Sequence, residues 1–327
     1  MPHPISRRTV LKGAAAAMMT VSAGSADAAR RPFFERIGKP IGFQLYSLGD
    51  EAGKDLDATF ASVAAIGYRL SAIGYRDIEL PSLYGKSPAL VRAAADKAGL
   101  RLTSLHLPAM ALGPQGMLSL LSETQRIADE LGVLGIAGAV APIAPFPAPF
   151  HPAPGENPMD ALARMFADAG ADGWKRTAAL LNDKAAALRP HGIQLGYHNH
   201  NIEFAAVGAT TGWDILVRET DPALVKFEVD VGWVAAAGID PVAFLERNHG
   251  RLRWLHVKDL KASTKPNTAL TMDPTEAGSG EQDWARILPA AHRAGVEHFY
   301  VEQEPPFTIP RIEAAERSYR FLKDLHA

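Results

Sequence analysis

From residue 41 to its C-terminus the chain alternates short apolar runs, rich in β-branched and aromatic residues, with longer amphipathic stretches. The apolar runs cover 41–47, 75–80, 101–106, 133–141, 192–199, 225–230, 252–258 and 298–302. Helical periodicity fills 56–66, 87–98, 119–131, 174–189, 240–248 and 283–294, several of these closing at glycine. Parallel strands need a crossover of a dozen or more residues, usually a helix, and each run is followed by a connection long enough to supply one. Eight such units predict a single (β/α)8 TIM barrel over residues 41–327, preceded by a linker at 29–40. A hydrophobic content of 47% in 327 residues is enough for its core.

The ends of the last four runs carry polar residues in pairs two apart: His198 and His200, Glu228 and Asp230, His256 and Lys258, Glu302 and Glu304. Side chains two apart on a strand share a face, and strand-end residues of a barrel meet at its C-terminal mouth, so these pairs converge. Glu79 and His106 end the second and third runs and reach the same mouth. Burying so many polar groups is costly without a shared partner. One divalent metal ion is an economical partner, because imidazole and carboxylate donors suit Mn, Zn, Co or Fe, with Mg as a further option, better than Ca. The chain has no Cys, so its ligands must be nitrogen and oxygen. The alternative is a ring of solvated salt bridges.

The formal charge of −2, without a basic stripe, argues against nucleic acid as a partner. It also argues against a metal-dependent endonuclease on the same barrel, which needs more His and Asp. Ser6-Arg7-Arg8-Thr9-Val10-Leu11-Lys12, the apolar stretch from Gly13 to Val21 and the small-residue site Ala26-Asp27-Ala28 resemble a twin-arginine export signal over residues 1–28. The apolar stretch is far short of the ~20 residues that span a bilayer, so no stable membrane anchor is expected, and the protein is expected in the periplasm or secreted. A tandem copy, Ala65-Ile-Gly-Tyr-Arg69 and Ala72-Ile-Gly-Tyr-Arg76, reads as a local insertion. The Pro-rich segment 142–158 follows the fourth run, either as a lid or as a decorated loop. Gly278-Ser279-Gly280 offers backbone N–H groups that could cradle a phosphate, although an exported enzyme is better matched to an unphosphorylated sugar or inositol.

The segments GYHNHNIEF, FEVDVGWVAAAGIDP, LHVKDLK, AGSGEQDW and YVEQE together resemble the xylose-isomerase-like sugar phosphate isomerase/epimerase barrels, in particular the branch with Tyr-His-Asn-His on strand five. The resemblance implies metal ligands at His198, Asp230, His256 and Glu302. It further implies Glu302 as the proton-abstracting base, with Glu304, Glu79 and His106 as candidates for the second proton. Lys258 would hold a substrate oxygen or form a salt bridge with Glu228 or Glu304. His200 and Glu304 would contact substrate, Trp233 would either pack at the rim or stack on a sugar, and Asn199 and Glu203 would orient the ligands. Many relatives have Glu where this chain has His198, and a metal-bound neutral imidazole cannot take a substrate proton. The expected activity is that of a metal-dependent sugar isomerase or epimerase working through an enediolate, acting on a small sugar or polyol and compatible with homo-oligomerisation. Elimination from 3-keto-glycosides or inosose-like substrates is the alternative reaction, and a non-catalytic sugar or metal binder the alternative of another class.

Overall fold

The computed structural model describes residues 31–68, 74–110 and 117–327. Eight strands, β1 Gly42–Gln44, β2 Asp77–Leu80, β3 Arg101–His106, β4 Gly138–Ala141, β5 Gln194–His198, β6 Val225–Asp230, β7 Leu252–Val257 and β8 His298–Val301, form a closed barrel in chain order. Every pairing in it is parallel, including β1 with β8. The (β/α)8 expectation is met. Capping residues fix several helices where the sequence places them: Ser87, Asp240 and Asp283 each accept a backbone N–H in the first turn of the helix that follows.

The departures from the sequence reading are local. Strand β1 stops at Gln44, whose side chain accepts the N–H of Tyr46 and starts the 3-10 turn Leu45–Leu48. Strand β4 begins later than expected, because the helix Thr124–Leu134 continues to Gly135, which closes it at φ 69°. The helix after β4 runs Pro158–Leu188, starting well before Trp174; Asn157 caps it, and a non-helical Gly170 interrupts it and hides its periodicity. Residues 31–40, expected within a linker, contain the helix Phe33–Ile37, whose Phe33 and Phe34 are buried with ring centroids 6.1 and 5.5 Å from Phe299. In the Pro-rich segment, Phe146 packs on Phe150 and on Phe166 of the following helix, as a loop decorating its own connection does. The export signal at 1–28 lies outside the described residues, as does part of the tandem copy, at 69–73.

Inside the barrel, Val140, Trp254 and Tyr300 form a buried cluster that fills the lumen. Glycines make this possible. A Cβ on Gly42 would lie 2.6 Å from the Tyr300 ring, and one on Gly196 would lie 2.6 Å from the Trp254 ring. Two residues beyond Gly42, Gly196, Trp254 and Tyr300 stand the polar Gln44, His198, His256 and Glu302, so the aromatic plug is the floor of the site: the Tyr300 ring meets the His256 ring edge-on, with centroids 6.3 Å apart.

Candidate metal and proton-transfer site

Strand register brings the polar pairs together, placing Asp230 beside His256, His198 beside Glu228 and Gln44 beside Glu79. Of the expected metal ligands, Asp230, His256 and Glu302 offer donor atoms within 4.8 Å of one another. His256 Nδ1 is 3.0 Å from Glu302 Oε2 and 3.7 Å from Asp230 Oδ2, and His198 Nε2 is 3.9 Å from that same Asp230 oxygen. These are spacings that donors about 2.0–2.3 Å from a shared ion can adopt. Asp230 is held in place from both sides, since Asn199 exchanges hydrogen bonds with its backbone N–H and carbonyl, and its Oδ1 accepts the N–H of Trp233.

The opposite edges of the same imidazoles face a deeper pair of carboxylates. His198 Nδ1 and His106 Nε2 each lie 3.0 Å from Glu228 Oε2, and His256 Nε2 lies 3.2 Å from it. His256 Nε2 also bonds Glu79 Oε1 at 2.7 Å, and Gln44 Nε2 donates to that oxygen at 2.9 Å. Glu79 therefore sits behind His256 as viewed from Glu302. Burial opposes charge on every group here. Against it, His106 and then His256 hold the Glu79 carboxyl well below its usual range, while Glu79 and Glu228 lift His106 to about 10. Burial and the positive neighbour His256 push His198 down, which keeps it neutral and able to ligate; Glu228 and Glu302 raise His256 against burial. Glu79 Oε2 and Glu228 Oε1 are buried without a hydrogen bond, and Asp230 Oδ2 makes none although the Lys258 ammonium stands 2.6 Å from it, so these carboxylates have acceptor capacity that a cation would use.

A cationic side chain already reaches three of the outer oxygens. Lys258 Nζ lies 2.6 Å from Asp230 Oδ2, 2.8 Å from Glu302 Oε2 and 2.6 Å from Glu304 Oε1, and only the contact to Glu304 has hydrogen-bond geometry with a carboxylate left partly exposed, at 25%. The backbone makes room for it: a Cβ on Gly232 would sit 2.8 Å from Lys258 Cγ. The donor set thus fits a positive ion, with the ammonium standing in its neighbourhood. Burial works against the Lys258 charge, but Asp230, Glu302 and Glu304 raise its pKa; Lys258 and His256 in turn hold Glu302 below its usual range. Glu302 is therefore a fixed anion, suited to ligation. Glu304 behaves differently, because burial raises its pKa against the pull of Lys258 and Glu302 adds to the rise.

His200 completes the mouth as a neutral ring lowered to about 4, chiefly by burial and then by Lys258; its Nδ1 has no hydrogen bond. Trp233 is 2% exposed, packs between His200 and Lys258, and leaves its buried Nε1 without a partner. Tyr46, on the turn after β1, is 44% exposed, and Glu304 and Glu302 contribute to a pKa raised first by burial. The sequence marks Tyr46 and Gln44 as no more than ordinary core or mouth residues, because nothing in a short first strand singles them out. Glu228, expected as a possible salt-bridge partner of Lys258, instead faces His106, His198 and His256, while Lys258 meets Asp230, Glu302 and Glu304. Glu203 is fully buried, accepting from the Tyr197 hydroxyl at 2.5 Å and from the His200 N–H at 2.9 Å.

The suggested phosphate cradle is not available. The N–H groups of Gly278 and Gly280 donate to Asp259 Oδ2, as does Trp284 Nε1, while Gln282 N–H donates to Oδ1. The Gly-Ser-Gly loop and the Asp-Trp that follows it are a wrapping for Asp259, the residue after Lys258, and a Cβ on Gly280 would collide with that carboxylate.

The family profile of the xylose isomerase-like TIM barrels matches residues 60–325. The chain belongs to that family. Among curated proteins, the inosose dehydratase of Geobacillus kaustophilus (strain HTA426) is 24% identical over 192 residues, which is 59% of this chain and 60% of the dehydratase. The chain thus aligns with less than two thirds of that relative's length. A sugar phosphate isomerase/epimerase from Parabacteroides distasonis ATCC 8503 superposes with a TM-score of 0.65 at 24% identity, covering 88% of this chain and 94% of the other. The IolI protein, solved with a binding zinc atom, superposes with a TM-score of 0.57 at 14% identity, covering 87% and 98%. These likenesses establish the barrel; the residue assignments rest on the geometry above.

Proposed function

We propose that the chain is a divalent-metal-dependent lyase that removes water from an unphosphorylated keto-sugar or keto-inositol. The observation that carries this reading is the Lys258–Glu304 pair at the partly exposed side of a His198, Asp230, His256 and Glu302 ligand set. A metal ion held there would act as a Lewis acid on the substrate carbonyl. Glu304, with a raised pKa and partial exposure, is placed to take the proton from the carbon next to the carbonyl. Lys258 donates toward the oxygen on which the negative charge gathers. The β-hydroxyl then leaves with a proton, and Glu304 can return the one it has just taken, so the products are water and an enone and no second acid is required.

Two further observations support the reading. His198 replaces the second carboxylate that two-base epimerisation would use, and the name of the Geobacillus relative points to dehydration of a keto-inositol. Consumption of the glycine-loop N–H groups by Asp259 favours a substrate without phosphate. Isomerisation or epimerisation is the second reading, and His106 is the observation in its favour: an imidazole bonded to Glu228, lining a cavity of about 770 Å3 with Tyr84, Leu107 and Met117, could carry a second proton. Export through the Arg7-Arg8 signal, with a periplasmic substrate, is part of the proposal.

The test is metal analysis followed by incubation with keto-inositols and 3-keto-glycosides in D2O. Loss of one water per turnover with a metal-replete protein is the expected result. Deuterium incorporation with retention of all substrate oxygens would establish the isomerase reading instead, and a metal-free protein inert to every keto-sugar would overturn both.

A further inference from the structure

The metal reading leaves Glu228 without a role. It is fully buried, it lies below the ligand layer, and three imidazole nitrogens from β3, β5 and β7 surround its Oε2 within 3.2 Å. A neutral imidazole has one N–H and one lone pair, so whichever nitrogen donates decides which is left to bind an ion. For His256 both nitrogens face carboxylates, but Nε2 has two, Glu79 at 2.7 Å and Glu228 at 3.2 Å, against one for Nδ1, Glu302 at 3.0 Å. For His198 the hydrogen bond of the ring is the one from Nδ1 to Glu228 Oε2 at 3.0 Å.

Building on the metal site proposed above, we propose that Glu228 is the positioning residue for His198, accepting its Nδ1–H and so turning the Nε2 lone pair toward Asp230. An imidazole ligand is oriented, and made a better donor, by a carboxylate on its other nitrogen. The two residues are direct neighbours in the β5–β6 register, so the backbone fixes their approach. Finally, a strand-five imidazole has a need that a carboxylate ligand at the same position would not have: a carboxylate presents the same oxygens whichever way its proton question is settled, whereas an imidazole must be given a tautomer. Glu228 thus supplies from β6 the negative charge that β5 lacks, one layer further from the ion.

The same geometry argues against a second ion in the group His106, His198, Glu228 and His256, whose donor atoms also lie within 4.8 Å. The Glu228 oxygen itself lies within 3.2 Å of all three nitrogens, and those of His198 and His256 carry protons whenever the outer edges of these two rings ligate.

The test uses the full chain stripped by chelator dialysis and titrated with Co2+ alone, with affinity read by competition against a chromophoric chelator. Glu228→Gln keeps size and hydrogen-bonding capacity but loses the charge, and it should weaken Co2+ binding by roughly 10–100-fold. In the Co2+-loaded wild type, a hyperfine-shifted exchangeable imidazole N–H belonging to His198 should be visible by proton NMR, and in Glu228→Gln, where a neutral carbonyl replaces the carboxylate acceptor, it should shift and exchange faster. A structural role alone would not move that resonance. The decisive comparison is the double variant. In a His198→Glu background the Glu228→Gln change should cost less than about threefold, because no tautomer remains to be set. Wild type without stoichiometric Co2+ would overturn the metal reading and this inference with it. Wild type that binds Co2+ beside a Glu228→Gln variant of equal affinity, or an equal loss in both backgrounds, would overturn the inference alone.

Discussion

Replacing Lys258 with Met keeps the length of the side chain and removes its charge, and the structure gives opposite expectations for the metal-free and metal-bound protein. The Lys258 side chain is 0% exposed, and its ammonium is within 2.8 Å of oxygens of Asp230, Glu302 and Glu304. Removing one partner from buried charges of this kind costs about 3–5 kcal/mol, because the others are left uncompensated. At roughly 2 °C per kcal/mol for a barrel of this size, the metal-free Lys258→Met variant should melt about 6–10 °C below wild type at pH 7.5. Binding should move the other way. An ammonium about 4 Å from an ion repels it by about 4 kcal/mol per unit of ionic charge at an effective dielectric constant near 20. A shift of the ammonium toward Glu304 would relieve part of that repulsion in wild type, yet even about 1.4 kcal/mol of residual cost is tenfold in affinity. The variant should therefore bind Mn2+ or Zn2+ at least about tenfold more tightly and regain its melting temperature on loading, while losing turnover. Thermal melts with and without saturating metal, alongside chelator competition, check both signs. A metal-free variant as stable as wild type, or one whose stability ignores the ion, would refute the claim that the ammonium and the metal serve the same oxygens.

Burial raises the folded-state pKa of Glu203 from 4.5 to about 7, so the folded chain holds a proton that the unfolded chain releases between those values. Stability should then fall as pH rises from 4.5 to 7, by up to about 3 kcal/mol, and urea melts of Glu203→Gln across that window should lose the slope. Gly196→Ala places a Cβ 2.6 Å from the Trp254 ring and should cost about 1–3 kcal/mol by overpacking; a neutral result in denaturant titrations would mean that the plug is looser than the structure shows. Asp230→Ala and His256→Ala should each lose the bound ion while the far-UV circular dichroism stays that of a folded barrel, and elemental analysis showing full metal content in both would remove them from the ligand set. A reporter carrying residues 1–30 should reach the periplasm with Arg7 and Arg8 intact and stay behind when both are Lys, so normal export of the double variant would point to another route.

The alternation of apolar runs and amphipathic stretches determined the barrel by itself, because strand and helix periodicities are local properties and eight crossovers leave few ways to bury both. Strand parity likewise put His198, Asp230, His256 and Glu302 on inward faces, since side chains two apart must point alike. What parity cannot supply is depth and partner. Glu79 and Glu302 look equivalent as strand-end carboxylates, but only the closed structure places them on opposite edges of the His256 ring, one at Nε2 and one at Nδ1. The glycine loop looked like a phosphate cradle because its N–H groups are legible in sequence, whereas the carboxylate that takes them comes from Asp259, some twenty residues earlier, through a fold the loop does not encode. Helix limits failed where a single backbone event, the positive φ of Gly135 or of Gly170, outweighed the local pattern. Hydrophobic periodicity is written along the chain and survives without its neighbours. The division of labour among Glu228, Glu302, Glu304 and Lys258 is set by distances of about 3 Å between residues from separate strands, and the pairing of those strands in the barrel is what creates those distances.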